Sequence, residues 1–171
     1  MNKSDEWGTP PALVKLLDKE FRFTLDACAT YNNAKVRRFF CPPGYLSCAI
    51  DHDDGMALQH CAGADGLAQS WKGEICFMNP PYSAGNIARW VLKAAMEAQV
   101  GALVVGLVRA DTSTAWWRRW IADTAKEIRF TKRITFVGAP GAYNVPTAIV
   151  VWDHRAGTGG IRPSHGGRHD R

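Results

Sequence analysis

Apolar positions along this chain recur with helical spacing in some stretches and as continuous short runs in others, which separates helices from buried strands. Near the start, Leu13, Leu16, Leu17 and Phe21 fall at helical intervals. Thr9 followed by Pro10 reads as a hydroxyl N-cap with proline at the first helical position, and the helix is expected to end near Glu20. Phe23 to Asp26 then reads as a short buried strand with Asp26 at its carboxyl end. Residues 28–70 show no sustained period. Cys41-Pro-Pro-Gly44 is a turn signal, Asp51, Asp53 and Asp54 form an acidic cluster, and mostly irregular structure is expected. So long an irregular stretch is uncommon unless it is functional.

From Glu74 the pattern sharpens. Glu74 to Met78 is an apolar strand running directly into Asn79-Pro80-Pro81-Tyr82. Asn86 is placed to cap a helix whose Ile87, Trp90, Val91, Ala94, Ala95 and Ala98 share one face, and Gly101 ends it. Ala102 to Val108 is a continuous apolar run, as in a strand covered on both faces. A tryptophan-rich helix is expected from Thr114 to Lys126, short strands at Ile128–Phe130 and Ile134–Val137, a Gly/Pro loop to Pro146, and a last strand from Thr147 to Trp152. Strands alternating with helices imply an α/β domain, here residues 1–152, built on an open sheet covered by helices. Residues 153–171 are Gly, Arg and His without apolar periodicity and are expected to be disordered. Ligands bind such sheets outside the carboxyl ends of the strands. Asp26 and Asn79 both occupy such ends, which brings a carboxylate and an amide toward one crevice.

Composition adds little. Hydrophobic residues make up 46% and charged residues 22%, enough for one core. The net charge of +5 suits a polyanionic partner without requiring one, because the arginine-rich tail supplies part of it. No apolar run is long enough to span a membrane, and the N-terminus lacks the apolar core of a signal peptide. Five cysteines without a disulfide rhythm suggest free thiols in a reducing cytoplasm. Cys41, Cys48, His52, His60 and Cys61 lack the spacing of a zinc site, so no metal is assigned.

Asn79-Pro80-Pro81-Tyr82 carries the chemistry. An exocyclic amine such as adenine N6 is a poor nucleophile because its lone pair is delocalised into the ring. The Asn79 side-chain oxygen and the Pro80 carbonyl can accept its two protons, drawing the nitrogen toward sp³ character. The paired prolines, Pro80 and Pro81, keep both acceptors fixed, and Tyr82 offers a ring on which the base can stack. A base in a duplex must be flipped out to reach such a pocket.

These residues sit among others that together resemble the phage and prophage family of DNA N6-adenine methyltransferases. The matching segments are Trp7-Gly-Thr-Pro-Pro11, Leu25-Asp-Ala-Cys-Ala29 with Asn32-Asn-Ala34, and Asp65-Gly-Leu-Ala-Gln-Ser-Trp71. Asn79-Pro-Pro-Tyr-Ser83, Ala110 to Trp117, Arg133-Ile-Thr-Phe136 and Pro146-Thr-Ala148 continue the series in family order. The resemblance implies a Rossmann-like methyltransferase fold, an open twisted sheet with helices on both faces, in full or shortened form. It implies S-adenosylmethionine as cofactor, DNA as partner and the cytoplasm of a host cell as setting, with modification of phage DNA against restriction as a purpose. It places Asp26 at the methionine or ribose part of the cofactor with Ala27 beside it, Thr9 and Pro10 along the methionine pocket, and Asp65 near the cofactor adenine. The chain departs from the broader pattern in having Asp26-Ala-Cys-Ala-Thr where a Gly-x-Gly loop is usual. No ribose-binding acid is identifiable either; Asp51, Asp53 and Asp54 read as a solvated loop.

Ser83, Arg109, Lys132 and Arg133 are the candidate substrate contacts, against the plainer reading of solvated surface groups. Trp117 and Trp120 have core spacing. The loops at 41–64 and 138–146 are expected to supply a short or relaxed recognition sequence. Asn-Pro-Pro-Tyr chemistry serves any planar amine, so RNA adenine, cytosine N4 or a glutamine amide remain alternative targets. A catalytically idle DNA-binding relative is a further alternative, against which an intact Asp26 and Asn79 count.

Overall fold

The computed structural model describes residues 7–43, 60–83, 85–141 and 145–155. In chain order the elements are α1 (Pro11–Phe21), β1 (Leu25–Asp26), β2 (Arg38–Cys41), β3 (His60–Ala64), β4 (Ile75–Met78) and α2 (Asn86–Gln99). They continue as β5 (Leu103–Arg109), α3 (Ala115–Trp117) with a π-helical turn at Arg118–Ala122, β6 (Glu127–Phe130) and β7 (Thr147–Asp153). One seven-stranded sheet forms in the order β3-β2-β1-β4-β5-β7-β6. Strands β1 to β5 pair in parallel, and β7 runs antiparallel to both β5 and β6. The chain winds outward from β1 to β3 on one side and from β4 onward on the other. The reversal between β1 and β4 is the point at which open α/β sheets hold ligands.

Alternation along β5 builds two cores. Val104 and Val108 face α2 and the tryptophan turn, together with Leu25, Cys76, Met78, Val150 and Trp152. Leu103, Val105 and Leu107 face α1 with Phe23, Phe77, Phe136, Ile149 and Val151. The expected face of α2 is buried, joined by Glu97. Val91, fully buried on it, contributes about 1.5–3 kcal/mol. Gly106 is required by packing, since a Cβ there would stand 2.9 Å from Met78 Cε and 3.0 Å from Trp152 Cζ3.

Several expectations are corrected. Pro10, not Thr9, takes the N-cap position of α1, and Pro11 begins the helix. The helix buries Val14 and Leu17, whereas Leu16 is exposed. Asn86 is the first residue of α2 rather than its cap; Gly85 caps it with φ 82°. The tryptophan helix widens into a π-helical turn after Trp117 and stops at Ala122, short of Lys126. Ile134–Val137 is no strand: Val137 makes only an isolated antiparallel bridge to Gly8. Strands β2 and β3 lie inside the stretch expected to be irregular. They were illegible because β3, His60-Cys-Ala-Gly-Ala64, has no bulky alternation, and its pairing with β2 slips at Phe39/Phe40. Cys41 and Cys61, expected as free thiols, are joined by a disulfide across these neighbouring strands, while Cys28 and Cys76 are free. Strand β7 runs one residue past Trp152, and buried Asp153 is held by Lys126 and Arg155. The acidic cluster at 51–54 and residues 156–171 lie outside the described residues. No described helix is long and apolar enough to cross a membrane.

Candidate active site at the carboxyl edge of the sheet

Parallel pairing sets Asp26 opposite Phe77, two residues before Asn79. The Ala27 N–H donates to the Phe77 carbonyl at 2.9 Å, and the Asn79 backbone amide lies near enough to the Cys28 thiol to act on it, so the two strand ends adjoin. Asp26 and Asn79 are brought together as expected.

The Asp26 side chain is buried. Its Oδ2 accepts the Lys35 backbone N–H at 2.9 Å and its Oδ1 accepts that of Cys28 at 3.4 Å. Burial pushes the carboxyl up to about 6, while the two N–H donors and the Lys35 charge oppose the shift. The carboxylate replaces a glycine loop by folding residues 27–35 around itself.

Asn79 leaves β4 with its amide nitrogen 3.4 Å from the Trp7 carbonyl. Its Oδ1 is buried and has no hydrogen-bond partner. The following prolines cannot donate to a sheet ladder, so the chain leaves the strand here. Tyr82 is half-buried, its hydroxyl donating to the Leu107 carbonyl at 3.1 Å. Its ring meets Phe136 edge-on, with centroids 6.0 Å apart. Phe136 also stacks on Trp7 at 6.4 Å, and Gly8 and Val137 exchange backbone hydrogen bonds of 3.0 and 2.8 Å. An N-terminal strip, Trp7 to Thr9, is thereby pinned beside Asn79. Trp7 and Phe136 were given no role from sequence; the signal available was that both fall inside the quoted motif segments.

Three buried side-chain polar atoms lack a hydrogen-bond partner among the described residues: Thr9 Oγ1, Asn79 Oδ1 and Arg109 Nε. Asn79 and Arg109 follow or end neighbouring strands β4 and β5, and Thr9 ends the strip beside them. An unsatisfied buried polar atom costs about 1–3 kcal/mol, so these three make this edge the candidate site.

The remaining candidates are more dispersed. Arg109 ends β5 and pairs with Asp111 at 3.3 Å. Ser83 accepts the Asn86 side-chain amide at 2.8 Å, which shapes the turn into α2. Pro10 is half-buried. Ala27 is packed in the α2-side core, and Gly66 approaches so closely that a Cβ there would stand 2.2 Å from the Ala27 carbonyl oxygen. Asp65, with φ 57°, follows β3, and its Oδ1 accepts the Leu67 N–H at 3.2 Å. The Gly66 contact brings this turn against the end of β1. Lys132 and Arg133 are exposed between β6 and Phe136. Among the described residues no three His, Cys, Asp or Glu side chains cluster as a metal site.

Comparison with known proteins adds three findings. A family model described as DNA N-6-adenine-methyltransferase (Dam) matches residues 43–149. A DNA N-6-adenine-methyltransferase of Haemophilus phage HP1 (strain HP1c1) is 30% identical over 180 residues, covering 98% of this chain and 91% of that protein. A solved structure from Pyrococcus horikoshii, provisionally named an RNA methyltransferase, superposes with a TM-score of 0.59 over 91% of this chain and 88% of its own, at 11% identity. That likeness concerns the fold, which is the Rossmann-like methyltransferase fold.

Proposed function

Because this chain belongs to the DNA N-6-adenine-methyltransferase (Dam) family, we propose that it methylates adenine N6 in DNA with S-adenosylmethionine as methyl donor, using the carboxyl edge of β1 and β4. The observation that carries this reading is the unpaired, buried Asn79 Oδ1 at the end of β4, beside the Asp26 carboxylate at the end of β1.

The residues present fit the donor. The Asp26 carboxylate suits an ammonium or hydroxyl, and the orphan Thr9 hydroxyl suits a polar group of the same ligand. Pro10 is assigned to the same pocket, Ala27 backs it from the core, and the Asp65 turn is assigned to the adenine part. When bound, S-adenosylmethionine supplies a sulfonium-activated methyl group. Asn79 Oδ1 and the Pro80 carbonyl accept the two N6 protons of adenine and aim its lone pair. Pro81 stiffens the loop. Tyr82, tied to Leu107 and Phe136, gives the base a fixed ring to stack on. The base is flipped from the duplex to reach this wall.

Arg109 and Ser83 are assigned to the nucleotide at the mouth of the site, and Lys132 and Arg133 to phosphates on its rim. The unpaired Arg109 Nε and the exposure of the other two cations support this. The catalytic unit is assigned to residues 1–153, through the end of β7. The phage relative supports a phage or prophage origin and a host-cell setting.

Asn79→Ala should lower kcat by about 10²–10³, the cost of removing one preorganised group that stabilises the transition state, while S-adenosylmethionine binding persists. Single-turnover methylation with labelled donor reads the first and calorimetry the second. Near wild-type turnover in the variant would remove Asn79 from the mechanism.

A further inference from the structure

Lys35 has no role in the reading above, yet it is built into the site. Its backbone N–H is one of the two that fix Asp26. That bond folds the chain so that the Lys35 ammonium reaches the N-terminal strip, 3.6 Å from where a Cβ on Gly8 would stand. Gly8 is followed by Thr9, whose hydroxyl is 1% exposed and unpaired. The ammonium also lies close enough for its charge to act on the Asp26 carboxylate. Lys35 is half-buried and joins no ion pair among the described residues. The Asp26 carboxylate already accepts two backbone N–H groups, and no ion pair among the described residues engages Lys35, which leaves this partly desolvated cation able to take a second anion.

A cation and an anion therefore lie near each other between the strip and the end of β1, and the same strip carries the unsatisfied Thr9 hydroxyl. An amino-acid head group, with its ammonium and carboxylate on one carbon, matches this set. We propose that Lys35, assisted by the Thr9 hydroxyl, binds the α-carboxylate of S-adenosylmethionine, while Asp26 takes the α-ammonium. This rests on the methyl-donor assignment above and deepens it: the enzyme recognises its cofactor by the amino-acid end through a charge pair assembled across 27–35. A DNA phosphate is the poorer match, because Lys35 is half-buried against Gly8, whereas Lys132 and Arg133 are exposed.

The test compares S-adenosylmethionine with its decarboxylated form, which keeps the ammonium and lacks the carboxylate. By calorimetry, wild-type protein should bind the decarboxylated form roughly 10- to 100-fold more weakly, the value of one charge-assisted hydrogen bond. Lys35→Met should lose a similar factor for S-adenosylmethionine and almost nothing for the decarboxylated ligand; Lys35→Arg should recover most of the loss. Equal losses on both ligands, or unchanged affinity, would overturn the assignment of Lys35 alone, and so would a loss confined to DNA affinity. Should Lys35→Met fail to fold, the two-ligand comparison on wild-type protein still decides, since equal affinities would refute a carboxylate clamp. Wild-type protein that binds neither ligand would instead bring down the methyl-donor assignment with it.

Discussion

At the scale of single residues, the candidate site holds groups that cost stability. Asp26 shows this most clearly. Its carboxyl is raised from 3.8 to about 6 because burial disfavours the charge. The folded state therefore holds this proton more tightly than the unfolded chain. Stability associated with Asp26 is greatest below about pH 4 and declines as pH rises through 6, by about 3 kcal/mol in total for two pKa units. Cofactor binding should respond in the opposite direction, since only the ionised form attracts an ammonium. Affinity for S-adenosylmethionine is expected to be flat above pH 7 and to fall about tenfold per unit below 6. Asp26→Asn should bind weakly at every pH in that range. Calorimetry from pH 8 to 5 measures this, and a profile without a break near 6 would remove Asp26 from the cofactor site. Asn79 and Thr9 carry a comparable cost, as each has a buried oxygen without a hydrogen-bond partner among the described residues.

At the scale of elements, the irregular segment 65–71 is held by groups that sequence periodicity does not reveal. Trp71 is fully buried, its indole N–H donating to the Gly66 carbonyl at 2.8 Å. Its backbone N–H donates to Glu97 Oε2 at 2.7 Å, and Glu97 Oε1 pairs with Lys93 at 2.6 Å. Lys93 in turn lies 5.8 Å from the Trp71 ring centroid. Glu97 thus ties the turn after β3 to α2, and through Gly66 to the end of β1. Glu97→Ala removes a buried acceptor from one N–H and one ammonium, which predicts a loss of about 2–4 kcal/mol by urea denaturation. The variant should also bind cofactor more weakly, since the turn supports Ala27; a change below about 0.5 kcal/mol would show that the turn is held elsewhere. The tie between α1 and β6 is of a different kind. Arg129 meets Glu20 and Glu127 at a partly exposed edge, where ion pairs contribute little.

At the scale of the whole molecule, the sheet brings the candidate site and the Lys132 and Arg133 cations to the same edge. Strand β6 is antiparallel to β7, as β5 is, so β5 and β6 point the same way and Lys132 and Arg133 follow β6 at the side of Arg109. If this rim meets DNA, Lys132→Ala with Arg133→Ala should weaken binding uniformly across sequences and lower the slope of log affinity against log salt by about 2. Cofactor affinity should stay unchanged, because both side chains are exposed. Fluorescence anisotropy between low and moderate salt measures the slope. Mapping N6-methyladenine after expression in a methylation-free host then reads the recognition sequence, and a long, stringent site would contradict recognition by short loops alone.

The sequence by itself determined the elements whose apolar pattern is local: α2 with its Trp90–Ala98 face, the continuous run of β5, the last strand β7, and the two strand ends that carry Asp26 and Asn79. Periodicity and chain order suffice there, because a buried face or a strand end is written in consecutive residues. Only the tertiary structure decided β2 and β3, the bridge of Gly8 to Val137, the Trp7–Phe136–Tyr82 wall and the reach of Lys35 to the N-terminal strip. Each depends on contacts between segments distant in the chain, or on small and polar residues whose pairing is set by their neighbours rather than by their own propensities. Thr9 illustrates the division: its place before Pro10 suggested a cap, whereas packing of the strip against Asn79 and Val137 left its hydroxyl buried without a hydrogen-bond partner.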